Sequence, residues 1–280
     1  MKRFFILAAV VLIFSASGYA QGLRIGATTS LTSDIVLDNG IKTDPRYQAK
    51  YTYEFAPIGL NVSYDLTPGF GLSLEAIMAN QEMVYEIIDV LDQVKGEQKL
   101  DMRLIKLPVL LRFMSNGSAP TRFNMNVGPQ FTFVSSALET LTVQAGEYEM
   151  PNGVSFEEIQ AEYPTATQNG EQATAGTYAL QEDYFRDVLT RESNDFRNMD
   201  FQLAVALGLD IDLSKHFILT TQLRANYSVK GYRNEDAIND IVNGNASQVF
   251  AEKANVNVGL QLGLQYSFDI TRSFRARMAE

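Results

Sequence analysis

The chain has 280 residues, no cysteine and one histidine, with 33 acidic against 23 basic residues and a formal charge of −10. The acidity argues against a nucleic-acid partner, whose phosphates need a basic surface. The absence of cysteine excludes disulfides, thiolate metal sites and a lipid anchor on an N-terminal cysteine.

Lys2 and Arg3 precede the apolar run Phe4 to Phe14, and Gly18, Tyr19 and Ala20 stand before Gln21 in the pattern of a cleaved export signal. Residues 1–20 are therefore expected to be a signal peptide, and residues 21–270 the mature domain, with a periplasmic tail over 271–280. Without Lys2 and Arg3 the balance is 21 basic against 33 acidic residues, or −12. Beyond the leader no apolar run approaches the length of a membrane-crossing helix, so insertion in a membrane would have to be by strands closed into a barrel.

Eight segments alternate between apolar and polar residues, the signature of strands whose two faces meet different surroundings. The first, Gly22 to Ser33, sets Leu23, Ile25, Ala27 and Leu31 against Arg24, Gly26, Thr28 and Ser30. The second, Tyr51 to Tyr64, changes phase between Phe55 and Ile58, which predicts a bulge near Pro57. The third, Phe70 to about Met78, and the fourth, Leu100 to Phe113, place Leu72, Leu74, Ile105, Leu107, Val109 and Leu111 on apolar faces. The fifth spans Thr121 to Val134, the sixth Asn198 to Asp212 and the seventh Phe217 to Val229. The eighth, Asn255 to Phe268, alternates without a break from Val256 through Leu260 and Leu264 to Phe268.

Their connections alternate in length. Asp65 to Gly69, Asn116 to Pro120 and Leu213 to His216 read as tight turns. Asp34 to Lys50, Ala79 to Lys99, Ser135 to Arg197 and Lys230 to Ala254 read as long loops. Short turns at one end and long loops at the other, with lipid on the apolar face, describe an up-and-down membrane barrel. Aromatic residues gather at both strand ends, Tyr64, Phe70, Phe113, Phe123, Phe217, Tyr266 and Phe268 at the turns, Tyr51, Tyr53, Phe131, Phe133, Phe201 and Tyr227 at the loops, as interfacial girdles would. The alternative is a soluble secreted β-protein whose apolar faces meet another sheet. The expected fold is all-β: an eight-stranded, antiparallel, up-and-down transmembrane β-barrel with short periplasmic turns and long extracellular loops.

The segment Ile105-Lys106-Leu107-Pro108-Val109-Leu110-Leu111-Arg112-Phe113, followed by Val127-Gly128-Pro129, resembles the outer-membrane β-barrel family that contains the PorT-like proteins. The resemblance implies a bacterial outer-membrane location and, through the PorT-like members, an accessory role in a dedicated protein-secretion system. The last strand is also similar to the sorting signal read by the barrel-assembly machinery, with Gln261, Gly263, Tyr266 and Phe268 at the matching spacing.

An eight-stranded barrel has an interior just wide enough to be filled by side chains. The strand phases point Glu54 inward as well as Glu75, Lys106 and Arg224, the last three near mid-height, and Arg24, Arg112, Arg122, Asp210 and Asp212 inward toward the periplasmic mouth. Charges in such a place survive if paired, so two ion-pair clusters are expected to block the lumen; loosely hydrated mouths and a small pore are the alternative.

No catalytic set can be assembled. His216 falls in a turn, and neither a Ser/His/Asp constellation nor a histidine-rich metal site can be composed. No cofactor is expected. The long loop 135–197 carries twelve acidic residues against Arg186, Arg191 and Arg197, and its aromatic residues Tyr163, Tyr178, Tyr184 and Phe185 are candidates for contact with a partner. The expectation is a monomeric, non-enzymatic barrel whose partners are outer-membrane lipid, the barrel-assembly machinery during biogenesis, and an extracellular or secretion-system protein met through its loops. A secretion accessory and a small solute pore are the alternatives.

Overall fold

The computed structural model describes residues 22–38, 44–115, 120–151, 153–168, 176–229, 231–237, 239 and 253–269. The expected signal peptide and tail, and most of the link after Val229, lie outside them. In chain order the described residues form β1 (Gly22–Asp38), β2 (Tyr47–Lys50), β3 (Tyr53–Thr67), β4 (Phe70–Ile88), β5 (Val94–Met114), β6 (Thr121–Val143), β7 (Gly146–Glu149) and α1 (Phe156–Glu162). β8 (Ala166–Thr167), β9 (Thr177–Leu180), β10 (Tyr184–Thr190), β11 (Met199–Asp212), β12 (Phe217–Ser228) and β13 (Lys253–Asp269) follow.

Eight strands close antiparallel into a ring in the order β1, β3, β4, β5, β6, β11, β12 and β13. Closure is made by β13 returning to β1, with Leu23 opposite Phe268 and Leu31 opposite Leu260. The alternation along each strand explains the ring. Leu203, Val205, Leu207 and Leu209 stand exposed on the outside of β11, while Gln202, Ala204, Ala206 and Asp210 are buried inside. Such a belt of exposed aliphatic side chains is stable against lipid, and closure leaves no strand edge unpaired there.

The bulge near Pro57 is present. Between the pairs Thr28 with Gly59 and Ser30 with Ala56 the register shifts, and Pro57 and Ile58 both face outward. Proline has no N–H to give to a ladder, so the extra residue falls where a missing donor costs least. The inner wall also needs glycine where it coils tightly. A Cβ on Gly128 would stand 2.1 Å from the Val109 carbonyl oxygen of the neighbouring strand.

Two of the expected long loops are instead strand. β4 and β5 run on to a tight turn in which the Asp89 carboxylate accepts the N–H groups of Leu91 and Gln93 at 2.8 and 2.9 Å. β6 continues to Val143 and pairs with β10, and β2 adds to the upper part of β4. Sequence reasoning ended these strands early because their polarity reverses. On β5 the outward residues are apolar from Phe113 to Ile105 and charged at Arg103, Asp101, Lys99 and Glu97. Its inward residues change oppositely, from Arg112 and Lys106 to Leu104, Met102 and Leu100. Below the reversal the outer face meets lipid; above it the outer face meets water and the inner face needs an apolar core.

That core builds an extracellular cap. Met83, Leu100, Met102, Leu104, Val134, Leu189, Phe196 and Tyr232 form one buried cluster over the barrel mouth. Tyr47, Tyr85, Leu141, Tyr148, Ile159, Tyr163, Tyr178 and Leu180 form a second, roofed by the small sheet β7-β9-β8 and by α1. Ser155 caps α1 by accepting the Glu158 N–H while the Glu158 carboxylate accepts the Ser155 N–H at 2.7 Å, a reciprocal arrangement that starts this short helix.

Candidate functional site

The lumen is crossed by ion pairs at successive heights. At the periplasmic end Asp210 on β11 receives Arg24 at 3.1 Å, Arg112, the Asn124 amide at 2.8 Å and the Thr220 hydroxyl at 3.0 Å. Arg24 reaches Asp65 at 2.7 Å, and Arg122 pairs with Asp212 at the rim. At mid-height Glu75 and Arg224 meet at 2.6 Å. They stand on β4 and β12, four strands apart around the eight, so this single contact spans the barrel. Arg224 also donates to Gln130 and Gln261, each at 2.9 Å.

Lys106 does not join Glu75. It donates to both carboxylate oxygens of Glu54 at 2.6 and 2.8 Å, one tier higher. Above that, Glu139 takes Arg233 and the Gln98 amide at 2.7 Å. Glu75, Lys106, Arg224, Arg112 and Asp210 are all buried, whereas Arg122 and Asp212 are partly exposed at the mouth. Two voids of about 10 Å³ each interrupt the packing around these tiers, about the room for one water apiece.

Several members of this network escaped sequence reasoning. The connection lengths place Asp65 in a turn, and Glu139 and Arg233 in loops. Glu139 was within reach of the pattern: it continues the inward phase of Gln130, Thr132 and Val134 once the bulge at Ser135 is allowed for. Of the residues that resemble an assembly signal, Gln261 and Gly263 face inward, and Tyr266 and Phe268 face outward with ring centroids 4.7 Å apart. His216 lies in the turn after β11, its ring stacked on Tyr266 at 5.4 Å.

The cap corrects the expectation for the long loop. Tyr163 and Tyr178 are 1% exposed, stacked on each other at 6.3 Å inside the apolar cluster, and offer nothing to a partner. Tyr184 is half-buried against Tyr163, and Phe185 alone of the four is open, at 66%. Their sequence context is acidic, but burial of rings outweighs the polarity of their neighbours.

Arg46 is the polar centre of this cluster. It donates to the Tyr178 hydroxyl at 2.6 Å, pairs with Asp44 at 2.8 Å, and lies 5.6 and 5.8 Å from the ring centroids of Tyr47 and Tyr178. Burial works against its charge, but Tyr178 and Asp44 outweigh it and hold its pKa above the ordinary value. Burial also pushes the pKa values of the Tyr47, Tyr163 and Tyr178 hydroxyls upward, so these rings stay un-ionised. Glu162, buried at the end of α1, is raised by burial and partly offset by Arg186 at 3.0 Å. Among the described residues no cluster of histidine and carboxylates has the form of a metal site.

A closed ring with a lipid-facing belt, a polar interior and an extracellular cap defines a bacterial outer-membrane β-barrel. Residues 18–232 match the family described as outer membrane protein beta-barrel domain, and the chain belongs to that family. No curated protein sequence matches it. Among solved structures the chain is similar to the Neisserial surface protein A, at 10% identity over 88% of this chain and 97% of that one, with a TM-score of 0.41. It is similar to OprG from Pseudomonas aeruginosa at 14% identity over 89% and 96%, TM-score 0.37. The outer membrane protease OmpT from Escherichia coli, at 12% identity over 90% and 98%, has a TM-score of 0.37.

Proposed function

We propose that this outer-membrane barrel is non-enzymatic and monomeric, closed to solutes, and acts through its extracellular cap as a binding surface for another protein or a surface polymer. The observation that carries the reading is the contact between Glu75 and Arg224 across the full width of the lumen, with further ion pairs above and below it. With the interior occupied by the protein's own charges, the surface available to a partner is the outer face of the sheet β2-β4-β5-β6-β10. That face is polar, with Lys50 paired to Glu86 at 2.8 Å and Lys99 to Glu82 at 2.9 Å, and Phe185 open on its edge strand.

A narrower role, as accessory to a protein-secretion system, rests on the Ile105 to Phe113 strand and its likeness to PorT-like proteins. Biogenesis through the barrel-assembly machinery, after removal of residues 1–20, belongs to the same proposal. Photo-crosslinkers at Thr140, Thr142 and Phe185 in intact cells, compared with one at Lys215 in a periplasmic turn, test the cap. The reading expects a discrete adduct from the cap positions alone. Equal adducts from both ends, or a steady large conductance of the purified protein in planar bilayers, would overturn it in favour of a nonspecific surface or a pore.

A further inference from the structure

A cleft of about 1040 Å³ is cut into the outer surface of the wall at the height where polarity reverses. We propose that it binds the phosphorylated sugar head of an outer-leaflet glycolipid, with Arg103 and Arg191 holding the phosphate. The lower rim is Tyr53 and Phe55, 70% and 56% exposed, which stand at the top of the lipid belt. Arg103 lies one outward position above Ile105, the last apolar residue of β5 on that face. An occupant must therefore bring acyl chains to the belt and a polar head to the level of Arg103.

The two arginines are brought together across β6. Arg103 pairs in register with Ser136, and the Arg191 N–H donates to the Ala137 carbonyl at 2.9 Å, so the cations flank one strand. Arg191 donates through Nη2 to the Asn198 side-chain oxygen while its Nε has no acceptor, and among the described residues neither Arg103 nor Arg191 is ion-paired with a carboxylate. A cation left without a counter-charge at the headgroup level is matched by a lipid phosphate, and a guanidinium binds that group through two parallel N–H bonds.

The upper part of the cleft is acidic, but two of its carboxylates are already engaged: Lys99 bridges Glu82 at 2.9 Å and Asp101 at 3.4 Å. Asp187 and Glu192 remain as acceptors on the far side. This gradient, from apolar ring to cation to carboxylate, suits a head with its phosphate near the acyl chains and its sugar hydroxyls farther out. An anionic phospholipid lacks the hydroxylated sugar that the upper half would hold.

The test is native mass spectrometry of the full-length protein in detergent, titrated with a phosphorylated diglucosamine lipid, its enzymatically dephosphorylated form, and phosphatidylglycerol. The expected result is one tightly held phosphorylated glycolipid, with at least tenfold weaker binding of the other two. The doubly substituted protein, Arg103→Gln with Arg191→Gln, is expected to lose that preference. Equal binding of all three lipids by the unsubstituted protein overturns the proposal whether or not the variant folds. An unchanged preference in a folded variant overturns the assignment of the two arginines.

Discussion

Arg112 on β5 and Asp210 on β11 are separated by 98 positions in the chain and meet inside the barrel, where the carboxylate also receives Arg24, Asn124 and Thr220. Asp210 is completely buried and Arg112 is 2% exposed. The Asp210 carboxylate therefore ties four other strands of the ring, β1, β5, β6 and β12, to β11. Replacing Asp210 by alanine leaves the buried Arg112 guanidinium without its counter-charge and Arg24 with Asp65 alone, a loss that costs about 3–5 kcal/mol. Urea unfolding followed by heat-modifiable migration in detergent is expected to show that drop, and a much smaller one for Asp212→Ala, whose pair with Arg122 is exposed at the rim.

The lipid belt has a sharp upper limit. Leu207→Arg, in the middle of the outer face, is expected to cost about 2–4 kcal/mol, whereas Thr142→Arg, on the outer face of the cap, is expected to be close to neutral. The same unfolding assay in lipid vesicles measures both. Equal penalties would place the cap's outer face in lipid rather than water.

The inner wall tolerates no side chain at Gly128, where a Cβ would overlap the Val109 carbonyl, while at Gly146 the nearest atom, the Tyr148 hydroxyl oxygen, would be in ordinary contact at 3.4 Å. Gly128→Ala is expected to abolish or severely slow formation of the heat-modifiable form, and Gly146→Ala to leave it unchanged. Refolding yield into detergent distinguishes the two.

Two of the three carboxylates of α1, Glu162 and Glu158, are expected to give the cap opposite pH dependences. Glu162 titrates above its ordinary value of 4.5 because burial opposes its charge, with Arg186 and Arg46 partly compensating. Its folded form holds the proton more tightly than the unfolded chain, so its contribution is favourable at low pH and is lost as pH rises from the ordinary carboxylate value through the folded one. Glu158 is held below 4.5 by the Ser155 N–H and hydroxyl. Its contribution is present above the ordinary value and is lost as pH falls through its depressed one. Hydrogen exchange over residues 156–190 is expected to show less destabilisation with rising pH in Glu162→Gln, and less with falling pH in Glu158→Gln.

The eight-stranded ring was legible because lipid imposes one rule on every strand that crosses it, so each of the eight alternating segments coincides with a barrel strand and the phase change at Pro57 coincides with a bulge. The upper halves of β4, β5 and β6 were not. Alternation continues there, but with apolar residues inward, so assigning apolar faces to lipid ends β4 and β6 near the reversal and carries β5 only to Leu100. Tyr163 and Tyr178 were misplaced for a related reason. In an acidic segment they read as exposed loop residues, and burial beneath α1 becomes visible only when Tyr47 and Tyr85 from β2 and β4 are brought against them.

The linear pattern by itself determined the compartment, the eight strands of the ring and which side chains point inward along the lipid-crossing part of each, because side-chain direction along a strand has a period of two and needs no knowledge of neighbours. The tertiary structure alone decided which inward charges meet. Lys106 finds Glu54 and not Glu75, Asp210 gathers both Arg24 and Arg112, and Glu75 reaches Arg224 across the lumen. Pairing between opposite walls depends on strand register and on how the ring closes, and the sum of those registers is a property of the barrel rather than of any one strand.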